Sequence, residues 1–564
     1  MLSQWLQQAK SGQSVWLSDV RRDCEALPEH VAVTMQLTLT DGTRRDFSLP
    51  IPRWEGAEQR QFAAQYVTAC VFNTLSALSG REMAFYLDLR ETEVVALLGE
   101  LNDIFQVHET VRSGYGKVVN IANRLCRAFG GGTFSFAVRD RSAYVPAAQE
   151  PPRGGDLLPR LRKAVERCGS GVCCGIDIGG TDIKAAVAVD SRLVCVKEYD
   201  WNPAASPVAE GLTGPITLLV RLMACCAAGM TPALQAALDK DTGDEEMAQA
   251  VAQSASVPLD VLGISFPDVV IRDRIVGGES PKTKGMRENP AIDYETAFAE
   301  LGALVALLRP YCRDGAAIHM TNDGHIAAFT AAAELACSGG EPDFSGGVIA
   351  HALGTDFGVG YLDSDGSIPE MPVELYDFLL DLGSFPQRAL PPEDLRSTRN
   401  ENSGLPGARR YLGQAAAFRL AYDADPALLA GFIEERNGIL AIRQTPEDMR
   451  KPCLAYLMEQ AAAGNAAAQS VFRQIGRNVG QISREMRWLM QPRTDVRYLF
   501  GRFVKHPACF RLLQEGCREI VPDLRLEAAD EDLMCTPLMR QLPEHGVTVA
   551  QFGQAVGAMY YAAI

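Results

Sequence analysis

The segment Gly175-Ile-Asp177-Ile-Gly179-Gly180-Thr181-Asp182-Ile-Lys184 puts a carboxylate, a glycine pair, a hydroxyl and an ammonium in one short run, ahead of the apolar stretch Ala185 to Val189. Glycines let backbone N–H groups approach phosphate oxygens with no Cβ in the way. Thr181 adds a hydroxyl donor and Lys184 a cation, while Asp177 offers a hard oxygen to hold a water of Mg²⁺. The same residues also suit an ordinary glycine hairpin turn. A second strand–turn–strand pattern, Gly347 to Leu362, carries Gly354-Thr355 at its turn. Two such units, one in each half of the chain, suit a nucleotide triphosphate clasped from both sides. Between them, Asn322-Asp323-Gly324 precedes an alanine-rich helix. Asp323 at a strand–helix junction is a candidate general base for an attacking hydroxyl, a contribution typically worth ~10²–10⁴ in rate. A helix N-cap at Asn322 or Asp323 is the competing reading.

These residues need an α/β scaffold. From Gly171 onward, short apolar strands alternate with helices, which favours that class. The expected division is an α+β accessory domain at 1–150, a linker at 151–170, a first lobe at 171–317 plus 547–564, and a second lobe at 318–546. In the amino-terminal part, alternation from His30 to Pro50 around Asp41-Gly42 predicts a hairpin. An apolar helix is expected from Glu58 to Leu78, and a single long helix from Cys453 to Met490. Residues 1–150 carry no evident metal-ligand constellation or nucleophile–base pair.

With 564 residues the chain exceeds what one core normally holds. Hydrophobic residues make up 47%, charged residues 22%, and mean hydropathy is -0.04. A net charge of -16 disfavours nonspecific binding to nucleic acid or anionic membrane. No segment is expected to span a bilayer, and no secretory leader is evident at the start. Fifteen cysteines without CxxC spacing read as reduced, buried thiols in a cytoplasmic protein.

Five segments, in order, resemble the hexokinase family of the actin-like ATPase superfamily. Asp177 to Lys184 is similar to its first phosphate loop. Ser265-Phe266-Pro267 and Thr283-Lys284-Gly285 are similar to its sugar contacts. Asn322-Asp323 resembles the pair that orients the sugar and supplies the base. Gly354-Thr355 resembles the second phosphate loop, with Glu374 as the matching sugar-binding glutamate. Gly501 to Phe510 resembles the stretch near the adenosine site. Asp177 to Lys184 is also similar to ROK-type sugar kinases. The resemblance implies a two-lobed actin-like ATPase (ribonuclease H-like) fold and ATP-dependent phosphorylation of a hexose or related polyol.

On that reading Asp323 is the base, and Ser265, Thr283, Lys284, Asn322, Glu374 and Gln414 hold the acceptor. Asp177, Gly179, Gly180, Thr181, Lys184, Gly354, Thr355 and Gly501 hold ATP, with Mg²⁺ near Asp177. The implied partners are ATP and a small sugar, with neither nucleic acid nor membrane, and the reading leaves room for a homo-oligomer. Asp182, Asp356 and Gln414 depart from the family pattern, which motivates a second reading as a weak or non-catalytic sugar or nucleotide sensor. An iron–sulfur activator is disfavoured by the cysteine spacing.

Overall fold

The computed structural model describes residues 1–109, 113–148, 155–354, 357–386, 390–400, 403–530 and 532–564. By contacts the chain divides into two compact units. The first unit comprises Met1–Pro151, His351–Val359 and Met371–Ala528; the second comprises Pro152–Ala350, Gly360–Glu370 and Ala529–Ile564.

In the first unit, β1 (His30–Thr38) and β2 (Arg44–Pro52) form the expected antiparallel hairpin, with Gly42 at φ 90 in its turn. β3 (Glu82–Leu87) runs antiparallel to β1, and β4 (Ser135–Asp140) parallel to β3, giving the order β2-β1-β3-β4. Residues 1–151 fall in one unit with 371–528 because their partners lie there. Asn73 exchanges two hydrogen bonds with the Leu379 backbone, at 3.1 and 2.8 Å, and Phe47 packs on Trp488 with ring centroids 5.4 Å apart.

The second unit is built on β5 (Val172–Ile178), β6 (Asp182–Val189), β7 (Arg192–Asp200), β8 (Leu259–Phe266), the two-residue pair β9 (Val270–Ile271) and β10 (Arg274–Ile275), and β11 (Cys312–Asn322). β5, β6 and β7 pair antiparallel, whereas β8 joins β5 in parallel and β11 joins β8 in parallel. The resulting order, β11-β8-β5-β6-β7, is the ribonuclease H-like one. β11 is its fifth strand, so the sheet continues past residue 317, where the sequence reading placed a lobe boundary. β5 reads as an almost uninterrupted apolar run because helices cover both faces.

One covering helix, Val549–Ala562, lies so close that a Cβ on Gly175 or Gly263 would sit 1.8 Å from the Ala555 or Ala558 carbonyl oxygen respectively. The other, Glu210–Ala228, is long and apolar enough to cross a bilayer by length and composition, contrary to the sequence expectation. Its Leu212, Ile216, Leu219, Val220, Leu222 and Met223 are buried in the sheet's core, which accounts for that composition.

The chain passes between units within β12 (Val348–Leu353) and β13 (Phe357–Leu362). After a small hairpin of β14 (Ile433–Arg436) and β15 (Ile439–Ile442), it adds β16 (Val496–Phe500) and β17 (Arg525–Ala528), parallel to each other. Among the described residues, the order β13-β12-β16-β17 repeats the ribonuclease H-like sequence of strands without its third member. Two sheets of this type in one chain define a mixed α/β fold of the actin-like ATPase class. The long helix expected from Cys453 is two, Arg450–Ala462 and Ala466–Leu489. Gly464 at φ 92 ends the first, and the Asn465 side chain caps the second through Ala468 N–H at 3.0 Å.

Candidate functional site

Strand register builds the site in the second unit. Thr321, Ser265, Asp177 and Lys184 are successive partners on β11, β8, β5 and β6, so they form one row across the sheet near its turn end. Ser265 is fully buried, and its hydroxyl donates to Asp177 Oδ1 at 2.7 Å; Gln554 Oε1 lies 3.4 Å away on the carboxy-terminal helix. That engagement makes Ser265 a support for Asp177 rather than a group free to meet a substrate. Burial pushes the Asp177 carboxyl up to about 6, the Ser265 hydrogen bond opposes the rise, and the charge of Asp323 adds to it.

The glycine turn between β5 and β6 closes with Gly179 N–H donating to the Asp182 carbonyl at 2.8 Å. A Cβ on Gly179 would meet that same carbonyl at 2.8 Å, whereas Gly180 is exposed and open, with Lys282 Cε 3.8 Å from where its Cβ would be. Trp201 at the end of β7 braces the turn: its indole N–H donates to the Gly179 carbonyl at 3.1 Å, and its backbone N–H to Thr181 O at 3.0 Å. Thr181 is exposed. Lys184 pairs with the Asp182 carboxylate. Its charge offsets the carboxylate that departs from the family pattern, and is itself already engaged.

Asn322 and Asp323 sit where β11 becomes the helix Asp323–Cys337. The cap reading applies: Asn322 is the N-cap, its Oδ1 accepting from Gly324 N–H at 2.8 Å, and Asp323 is the first helical residue. The Asn322 amide also donates to the Asp268 carbonyl at 3.0 Å. Burial raises the Asp323 carboxyl above its ordinary range, and the Lys282 ammonium and Gly324 N–H draw it back. Lys282 itself donates to the Pro267 carbonyl at 3.0 Å.

Lys284, expected among the acceptor contacts, and its neighbour Lys282 stand in different surroundings. Lys284 is exposed, 3.8 Å from Glu288, whereas Lys282 is half-buried beside Gly180 and Asp323. The 3-10 turn Pro281–Thr283 and the following helix Lys284–Glu288 send residues two apart in different directions. Thr283 is buried; its hydroxyl donates to the Gly278 carbonyl at 2.8 Å and accepts from Arg287 at 2.7 Å, so it ties down a loop. His325 is a satisfied core histidine, accepting Tyr361 N–H at 2.9 Å and lowered to about 4 by burial, and His319 pairs with Asp273 at 3.1 Å.

The first unit gathers other candidates. Gly501, at φ 95, approaches so closely that a Cβ would lie 2.3 Å from the Leu353 carbonyl, next to Gly354. Gln414 N–H donates to the Gly354 carbonyl at 2.9 Å, and its buried side-chain amide donates to Arg450 O at 3.1 Å. Gln414 is therefore part of the frame around Gly354. Thr355 and Asp356 lie outside the described residues. Glu374 is half-buried and follows Val373, a β-branched residue at φ 55. Trp201 and Gln554 had no local sequence signal, because each reaches the site from an element remote in the chain.

No protein-family profile and no curated protein sequence matches the chain. Among solved structures it is similar to a ROK-family glucokinase from Streptomyces griseus, solved with glucose and AMPPNP, at 18% identity over 69% of this chain and 98% of that one, TM-score 0.36. It is also similar to a ROK hexokinase from Thermus thermophilus at 17% identity over 68% and 98%, TM-score 0.37. A third is a ROK-family transcriptional regulator, homologous to the Escherichia coli MLC protein, at 12% identity over 89% and 98%, TM-score 0.38. With TM-scores this low, the fold assignment rests on strand order.

Proposed function

We propose that the protein transfers the γ-phosphate of ATP to a hydroxyl of a hexose or related polyol. The observation that carries this reading is the buried Asp323 carboxyl, within reach of the Lys282 charge, beside the exposed Gly180-Thr181 turn. It is a carboxylate whose proton affinity is raised by burial, an adjoining ammonium, and a turn with room for phosphate. Asp323 accepts the acceptor hydroxyl's proton as that oxygen bonds to the γ-phosphorus and the bond to the β-γ bridging oxygen breaks. Positioning and charge stabilisation supply most of the catalysis, as in phosphoryl transfer generally. Lys282 takes the cationic role that sequence reasoning gave to Lys184. Asn322 orients Asp323, and Glu374 holds the acceptor.

The donor set suits the Mg²⁺ that ATP brings. Asp177 is a hard oxygen donor whose negative charge is disfavoured by burial and by Asp323, and a divalent cation relieves both. One carboxylate plus waters and substrate phosphates is a usual Mg²⁺ environment. When bound, the ion would neutralise charge on the transferring phosphoryl group. The cysteines are all free thiols, in keeping with a cytoplasmic setting.

Incubation with Mg-ATP and a panel of hexoses and polyols should yield ADP and sugar phosphate in equal amounts, and Asp323→Asn should lower kcat by about 10²–10⁴. Full turnover by D323N overturns the base assignment. The second reading, a sensor without turnover, is favoured by the engaged state of Lys184 and Thr283. Sugar binding in a calorimeter with no ADP formed from any sugar decides for it.

A further inference from the structure

The segment that carries Glu374 is fixed by residues that precede 151. The helix Ala57–Leu78 leaves its last carbonyls without intrahelical partners, as every helix does. Two of them are met from far along the chain: Val373 N–H donates to Ala77 O and Glu374 N–H to Ser76 O, each at 3.0 Å. Those bonds coincide with the positive φ of Val373, a conformation that β-branched residues rarely hold without external constraint.

The side chains repeat the arrangement. Lys117, on the helix Gly116–Phe129, is buried and donates to Asp377 Oδ2 at 2.6 Å and to the Tyr376 hydroxyl oxygen at 2.8 Å. Asn400 donates to the other oxygen of Asp377 at 2.5 Å. An ammonium can only donate. Tyr376 oxygen therefore accepts from Lys117, which leaves its own O–H to donate, and the Glu374 carboxylate lies near enough to hold that proton on the phenol.

We propose that Lys117 is a positioning residue for ligand recognition, orienting the Glu374 carboxylate through Tyr376, so that residues 1–150 are part of the acceptor-holding machinery rather than an appended module. The ligand class is the polyol of the proposed reaction, whose hydroxyls donate to a fixed carboxylate, and the inference rests on that reading. The ammonium–phenol–carboxylate order leaves Glu374 as an acceptor only, which selects hydroxyl or ammonium donors over anions.

Tyr376→Phe removes one hydroxyl and leaves the Lys117–Asp377 pair intact. It should raise the sugar KM about tenfold, leave the ATP KM within about twofold, and lower Tm modestly, since one donor of the buried Lys117 ammonium loses its acceptor. Lys117→Met combined with Asp377→Asn, which strands no buried charge, should reproduce the KM split. Unchanged sugar and ATP constants, or equal losses in both, overturn the proposal. If the wild-type protein phosphorylates and binds no sugar, the proposed function fails. Crystal structures of wild type and Y376F then decide the positioning claim: a Glu374 carboxylate unmoved by loss of the phenol overturns it.

Discussion

Asp177 is a carboxyl that the fold would rather keep protonated. Its folded value of about 6 lies above the ordinary 3.8, so the stability associated with the bound proton is full below about pH 4 and is lost as pH rises through 6. The ionised site is correspondingly strained at neutral pH, by at most about 3 kcal/mol given its partial exposure. Asp177→Asn should therefore stabilise the metal-free protein at pH 8 and have little effect at pH 4, read by thermal melts across that range. Mg²⁺ should raise the wild-type Tm more at pH 8 than at pH 5, because it competes with the proton, and should do so weakly in D177N. A D177N variant that melts below wild type at pH 8 contradicts this account.

β12 carries a conflict that its neighbours do not relieve. His351 is fully buried, stacked 5.1 Å from the Phe357 ring, and neither ring nitrogen has a hydrogen-bond partner among the described residues. Burial and the nearby Arg497 charge lower it to about 3, so the ring is neutral in the fold while the unfolded chain titrates near 6.5. Its contribution is intact above pH 6.5 and lost as pH falls toward 3. His351→Leu removes two unsatisfied polar atoms with little change in volume. We expect a gain of about 1–2 kcal/mol at pH 7 and a shallower loss of stability between pH 6 and 4, measured by urea unfolding. His325→Leu should instead lose stability at pH 7, since the His325 Nδ1 serves Tyr361 N–H, although its own value of about 4 gives the wild type a parallel loss as pH falls.

Within the first unit, the amino-terminal helix Leu17–Glu25 and the helix Ala466–Leu489 are joined by buried charge. Arg21 pairs with Glu485 at 2.5 Å, with side chains 9% and 1% exposed, and lies 3.7 Å over the Trp488 ring. Removing one partner of such a pair typically costs about 3–5 kcal/mol, because the other charge is left unpaired in a poor solvent. Glu485→Gln should lose an amount in that range by chemical denaturation. Deletion of 1–151 should leave 371–528 without a cooperative transition, and a loss under about 1 kcal/mol for E485Q would show the two parts to be independent.

Local chemistry was readable in one dimension. The Asp41-Gly42 hairpin, the glycine turn at Gly179, the helix start at Asn322 and the α/β alternation depend on dihedral preference and short-period patterning, which nearest neighbours decide. Which lysine faces Asp323, whether Ser265 and Thr283 have free hydroxyls, and what holds Glu374 were settled only by packing. Ser265 meets a carboxylate 88 residues earlier, and Lys117 an aspartate 260 residues later. Burial and hydrogen-bond partnership are properties of the folded neighbourhood. A sequence sets which groups are present, whereas tertiary contacts decide which of them remain available to a ligand.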